Sequence, residues 1–346
     1  MRRKVSLIPL LLIIFPLALS GITMEVNAQI TPIGSIAVSV SSLAGIVQEV
    51  GGSYYNTTIL LEQETEPHAF TVTPEVIAAA EKADLLVFTG HFHWEEELAN
   101  LTATPFIAFH DDDAWENFED YGAELLPMPG GEEEDGNPHG FWLLPKNALA
   151  IANATRAALT TLNATLSNEW SSNFEIFVEA MSAFEGLIAS LDGVYGFSEM
   201  HAVVVSPSEA YVAEAFGIKA DAVLQVEDIT LSGVKLFEVQ EAIRNGSISL
   251  IIGSDVAQFQ TGGEFAYQLQ EDYGGVLIWW KTVFFVGADY FWMMNYNLGA
   301  LVSGLEGRSG DITDNTVNIG LVALSGVLGV LVAIESMLLI LRARAD

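Results

Sequence analysis

Six histidines and no cysteine define the chemistry open to this chain. Without Cys there is no thiolate metal site, no thiol nucleophile and no disulfide. Imidazoles and carboxylates remain, the usual stock for binding zinc and its neighbours. Two histidines directly follow a proline, in Pro67-His68 and Pro138-His139. Proline fixes its own φ near −65° and restrains the chain's approach. His91 and His93 lie two apart after the apolar run Leu85–Thr89, so in an extended chain they point the same way. They could assist a metal, or be ordinary exposed loop imidazoles. His110 and His201 read as surface or strand-end residues. No HExxH and no nucleophile motif is present, so a metal-dependent hydrolase is disfavoured and the chain reads as a non-enzyme.

The residues that position these groups are mostly apolar. Of 346 residues, 51% are hydrophobic and 10% aromatic, which excludes a disordered acidic protein. With 45 acids against 13 bases the formal charge is −32, which excludes a nucleic-acid binder held by a basic face. The acidity fits either attraction of cations or adaptation to salt or an acidic medium.

Strand and helix signals alternate along the chain. Ser35–Val40 reads as a buried strand, 42–50 as a helix closed by Gly51-Gly52, and Tyr54–Leu61 as the next strand. Thr73-Pro74-Glu75 caps a helix running to about Lys82. Leu85–Thr89 and Phe106–Phe109 are further strands. An acidic loop then runs from His110 to Asn137; a loop of that length is usually functional or disordered, here either a gatherer of cations or a mobile solvated segment. Helices follow at 146–162 and 167–191, the second with apolar residues at steps of three and four and Gly193 behind it. Strands at 202–205, 222–226, 249–252 and 275–280 then alternate with helices at 208–216, 234–244, around 265–270 and at 289–305. This predicts an α/β protein: two lobes with parallel sheets, joined by a long rigid helix.

The two ends differ from this body. Arg2, Arg3 and Lys4, an apolar run to Leu19 and Val26-Asn27-Ala28 read as a secretory signal peptide over 1–28. Residues 319–341 read as one C-terminal transmembrane helix, and Arg342 and Arg344 behind it place the short tail in the cytoplasm. The expected order is lobe 34–165, linking helix 166–192, lobe 193–307, stalk 308–318 and membrane span. The bulk of the chain is then extracellular at the cell membrane. Sequons at Asn56, Asn100, Asn153, Asn163 and Asn245 allow glycosylation.

Three stretches resemble a known family. LLEQETEPHAFTVTPEVIAAAEKADLLVFTGHFHWEEEL (60–98) is similar to the first lobe of the zinc and manganese solute-binding proteins of ABC importers, the ZnuA/TroA-like group. NPHGFWLLPKN (137–147) resembles that group's Asp-Pro-His-x-Trp-Leu-Asp-Pro segment, and GADYFWMMNYNLGALVSGL (287–305) its closing helix. The resemblance implies two α/β lobes about a rigid helix, with Zn²⁺ or Mn²⁺ captured in the cleft and handed to an ABC permease. It also implies that His68 and His139 are first-lobe metal ligands.

The second lobe departs from the pattern. Ser206 occupies a position where the group has His or Glu. Ile278-Trp279-Trp280-Lys281 has no acid where one is expected, with Trp280 at the departed position. Three readings follow. The site is completed by Glu209, Asp255, His91 or His93; or it binds weakly with waters; or the scaffold is a binding or adhesion module with a non-metal ligand or partner. Neutral imidazole ligands predict that metal binding weakens as pH falls through about 6.5.

Overall fold

The computed structural model describes residues 31–61, 67–131, 136–227, 229–283 and 289–308. The expected signal peptide, most of the stalk and the expected span at 319–341 lie outside them. Among the described residues no helix is long and apolar enough to cross a membrane. The described residues from Pro32 onward pack as one unit.

The first lobe is built as β1 (Gly34–Val38), α1 (Ser41–Gly51), β2 (Tyr55–Ile59), α2 (Pro74–Lys82), β3 (Leu85–Val87), α3 (His93–Leu101) and β4 (Phe106–Ile107). Its strands lie in the order β2-β1-β3-β4 and all pair in parallel, with Ala37 opposite both Thr58 and Leu86. Such a sheet is covered on both faces, which is why residues 36–38 of β1 and all of β3 are apolar and buried. The Thr73 hydroxyl caps α2 by accepting from Val76 N. Helix α3 falls between two expected strands, where the sequence pattern assigns no element.

Two helices follow, α4 (Pro145–Leu162) and α5 (Ser167–Tyr195). Helix α5 is 29 residues long, roughly 43 Å at 1.5 Å per residue. It passes through Gly193 and stops at Gly196, whose φ of 72° is the left-handed conformation that closes a helix. Its buried stripe is Trp170, Asn173, Phe177, Met181, Phe184 and Ile188.

The second lobe comprises β5 (His201–Val204), α6 (Glu209–Ala215), β6 (Lys219–Val223), β7 (Gln225–Val226), β8 (Ile229–Thr230), α7 (Gly233–Asn245), β9 (Leu250–Ser254), α8 (Thr261–Tyr273), β10 (Val276–Trp280) and α9 (Tyr290–Arg308). Its parallel sheet has the order β10-β9-β5-β6, and β7-β8 is a small antiparallel pair. The strand expected at 222–226 is therefore split into β6 and β7. Helix α9 reaches Arg308, the first residue assigned to the stalk.

One apolar cluster runs through both lobes, from Ile36, Leu86 and Trp142 to Tyr211, Ile252 and Trp280. A second, smaller cluster fills the far side of the second sheet around Val203, Leu224 and Ile251. The acidic excursion after β4 is packed where it is described. Phe118 is fully buried, Pro127 bridges Gly136, and Lys235 Nζ donates to Gly130 O from the second lobe. Among its described charges Asp112, Asp113, Glu119, Asp120 and Glu124 are exposed.

Candidate metal centre

In both sheets the chain leaves the central strand in opposite directions, β1 toward β2 and β3, β5 toward β6 and β9. Crevices at the carboxyl ends of such strands are the usual ligand sites. His68 and His91 follow the carboxyl ends of β2 and β3. His139 arrives at the end of the acidic excursion. Their ligand atoms all lie within 4.8 Å of one another. Ring centroids are 4.4 Å apart for His91–His139, 4.9 Å for His68–His91 and 5.4 Å for His68–His139.

Each imidazole is held by a different device. His68 sits in a short helical turn, Pro67–Ala69, and Trp94 Nε1 donates to Pro67 O at 3.1 Å. The buried Trp94 of α3 thereby pins that turn. His91 is held through Glu95, also on α3 and fully buried. The Glu95 carboxylate accepts from Thr89 N, Thr89 Oγ1, Gly90 N, His91 N and Phe92 N at 2.8–3.2 Å. Gly90 is required here, since its φ is 76° and a Cβ would stand 2.3 Å from Phe109 O.

His139 is oriented by Asn137. Asn137 Oδ1 accepts from His139 N at 3.0 Å, and Asn137 Nδ2 donates to Pro207 O at 2.9 Å. A backbone N–H can only donate and a carbonyl can only accept, so the amide orientation is forced. The same Oδ1 faces His139 Nδ1 at 3.2 Å. Nδ1 must then carry the hydrogen, and Nε2 presents a lone pair. That Nε2 is buried with no hydrogen-bond partner, as is His91 Nε2. A buried lone pair on His139 and a second buried, unpartnered ring nitrogen on His91, beside a third imidazole, fit a cation.

The electrostatics agree. Burial, then the neighbouring His139 and His68, lower the pKa of His91 to about 3. Burial, then His68, lower that of His139 to about 4. Both rings stay neutral well below the 6.5 expected of ordinary imidazoles, so their proton competition begins only in stronger acid. With no two ligand atoms more than 4.8 Å apart, a point between them lies at most about 2.8 Å from each, against about 2.0–2.1 Å for Zn–N, so ring movements of at most about 1 Å reach bonding distance.

The other candidates are placed elsewhere. His93 does not join the cluster: it opens α3, its side chain is 91% exposed and it faces Glu96. The turn into α3 breaks the extended geometry that would have aligned it with His91. Glu209 and Asp255 stand at the carboxyl ends of the second sheet but outside the three-imidazole cluster. Glu209 is fully buried; its Oε2 accepts from Ser206 N at 2.6 Å and its Oε1 has no partner. Burial raises it to about 8, with Asp255 adding to the rise against hydrogen bonds from Ser254 and Ser206. Asp255 Oδ1 accepts from Thr282 N and Thr282 Oγ1 at 3.1 and 3.2 Å, so it anchors the exit of β10. Ser206 contributes its N–H to Glu209, and Trp280 packs edge-on against Phe216 in the core. His110 pairs with Glu119, and His201 with Asp221, each at 2.6 Å.

The sequence reading left His91 as one of several completions and attached no role to Asn137 or to the buried carboxylate of Glu95. The available clue for His91 was its place directly after Gly90 at the end of a central strand.

Comparison with known proteins bears on the family and the fold. The sequence profile described as "ZnuA: Zinc-uptake complex component A periplasmic" matches residues 36–304. The zinc-binding lipoprotein AdcA of Streptococcus pneumoniae serotype 4 is 23% identical over 218 residues, 59% of this chain and 42% of AdcA. The chain thus matches about two fifths of that relative's length. Among solved structures, a ZnuA deletion mutant with zinc bound superposes with TM-score 0.62 at 19% identity, covering 76% of this chain and 94% of that one. The Mn-bound periplasmic metal-binding protein of Candidatus Liberibacter asiaticus gives TM-score 0.61 at 18% identity, covering 79% and 99%. With a profile match running from the first strand to the last helix, and the two-lobed fold to go with it, this chain belongs to the ZnuA family of zinc-uptake components.

Proposed function

We propose that the chain is a metal-capturing solute-binding protein of an ABC importer, with His68, His91 and His139 as the cargo ligands. The observation that carries this reading is the convergence of three imidazoles with two buried, unpartnered Nε2 atoms. Three nitrogen donors with no carboxylate among them suit zinc better than the harder manganese ion. Three protein ligands also leave a fourth position open, which suits an ion that must be released. There is no bond chemistry in this role: the protein binds, and a membrane permease receives. In this reading residues 1–28 export the chain and 319–341 tether it, so capture occurs outside the cell.

Calorimetric titration of the stripped full chain with Zn²⁺ and Mn²⁺ tests the proposal. Zinc is expected to bind more tightly, and His68→Ala with His139→Ala is expected to abolish the heat. Absence of heat with either ion in the unaltered chain would overturn it, as would unchanged affinity in the double variant.

A further inference from the structure

We propose that Asn137 is a positioning residue that makes the metal-ready state of His139 depend on docking of the second lobe. The inference rests on the metal reading above and concerns how that site is controlled.

Asn137 is fully buried, and each of its polar groups is committed. Its N–H donates to Leu126 O at 2.7 Å. Its carbonyl accepts from the Tyr211 hydroxyl, which in turn accepts from Leu126 N at 2.9 Å. Its side chain divides between lobes: Oδ1 takes the two N–H groups of His139, and Nδ2 reaches Pro207 O. Pro207 and Tyr211 both belong to the second lobe, in the β5–α6 turn and on α6. The two chains approach closely here. Gly140 has φ 81°, and a Cβ on it would lie 2.9 Å from the Ser208 Cβ.

Withdrawal of the 206–211 segment would strand a buried amide N–H and a buried carbonyl. The amide would then turn to satisfy itself, and His139 would lose the acceptor that keeps its hydrogen on Nδ1. Linkage makes the effect reciprocal. A metal on Nε2 holds the hydrogen on Nδ1, which holds the amide, which holds Pro207. Aspartate at this position would still accept from His139 but has no hydrogen for Pro207 O. Alanine would do neither.

Two variants and the unaltered full chain test this. ¹⁵N spectra of metal-free protein are expected to show His139 with its hydrogen on Nδ1, and a mixture of tautomers in Asn137→Ala. Zinc affinity in Asn137→Ala is expected to fall about 10–100-fold, the usual effect of removing a hydrogen-bond partner of a ligating histidine. Zinc should slow amide exchange over residues 208–213 in the unaltered chain. In Asn137→Asp the Nδ1–H tautomer should persist while that slowing disappears. A hydrogen on Nε2 in the unaltered protein would overturn the assignment without any variant. Equal zinc-induced slowing in Asn137→Asp would overturn the dependence between lobes. Zinc that leaves all three imidazole resonances unmoved would instead overturn the metal reading, and the metal-free spectra would still decide the role of Asn137.

Discussion

Replacing His91 by leucine separates what the imidazole does for zinc from what it costs the metal-free fold. His91 Nε2 is buried without a partner, and an unsatisfied buried polar group costs about 1–3 kcal/mol. Leucine fills similar space and has no such group, so metal-free His91→Leu is expected to be more stable by about 1 kcal/mol, the low end of that range. Zinc binding should move the other way. Four-ligand zinc sites are worth about 10–16 kcal/mol, or about 3 kcal/mol per ligand, which is roughly 100-fold in affinity. At a free zinc concentration 100 times the dissociation constant, the unaltered chain is stabilised by about 2.7 kcal/mol. The variant at that concentration sits near its own constant and is stabilised by about 0.4 kcal/mol. Urea unfolding with and without zinc reads both effects, and calorimetry reads the affinity directly. A variant less stable than the parent without metal, yet equally stabilised by zinc, would refute the reasoning.

Other residues make sharper contrasts. Glu95→Gln replaces one of the two oxygens that the five surrounding donors share by an NH₂ group that can only donate. It is expected to cost about 1–3 kcal/mol in urea unfolding and to weaken zinc binding by loosening the 89–92 turn. His93→Ala should leave zinc affinity within about twofold in calorimetry, because an exposed side chain outside the cluster has no ligand role. For Glu209 the folded-state pKa of about 8 lies above its ordinary 4.5. The folded protein then holds a proton that the unfolded chain releases between those values, so this group's contribution to stability falls as pH rises from about 4.5 to 8. Glu209→Gln should remove that slope and be the more stable form at pH 8. For His91 and His139 the folded-state values of about 3 and 4 lie below the ordinary 6.5. Their contribution is present above 6.5 and is lost as pH falls toward 4 and 3. The metal-free chain should therefore weaken in that window, and His91→Leu should show a shallower loss in acid unfolding curves.

The alternation of apolar runs with capped helical segments was enough to predict two parallel-sheet lobes and a long helix between them. Burial on both faces gives short apolar runs at 36–38, 85–87 and 250–252, and Thr73-Pro74-Glu75 starts a helix through local chemistry. The Pro-His pairs and their flanks also pointed to His68 and His139, through resemblance to a family. Short-range information ends there. Helix α3 was missed because His93–Leu101 owes its place to Glu95 and Trp94 turning inward to hold the loops behind β3 and β2. Gly196, not Gly193, ends α5, because Gly196 is the one with the left-handed φ of 72° that closes a helix.

The residue types of the site were thus set by the amino-acid sequence: imidazoles and no thiols, on an acidic two-lobed α/β frame. Which imidazoles meet was decided only by the tertiary fold. His91 and His93 are near neighbours in the chain, yet one points into the cluster and the other into solvent, because a helix begins between them. Glu209 and Asp255 have the right chemistry for ligands, but they lie in the second lobe outside the cluster, where Ser206 N and Thr282 donate to them. Asn137 is not among the three grouped ligands. It acquires a role because folding brings Pro207, Tyr211 and His139 within hydrogen-bond reach of one buried amide, from positions far apart in the chain.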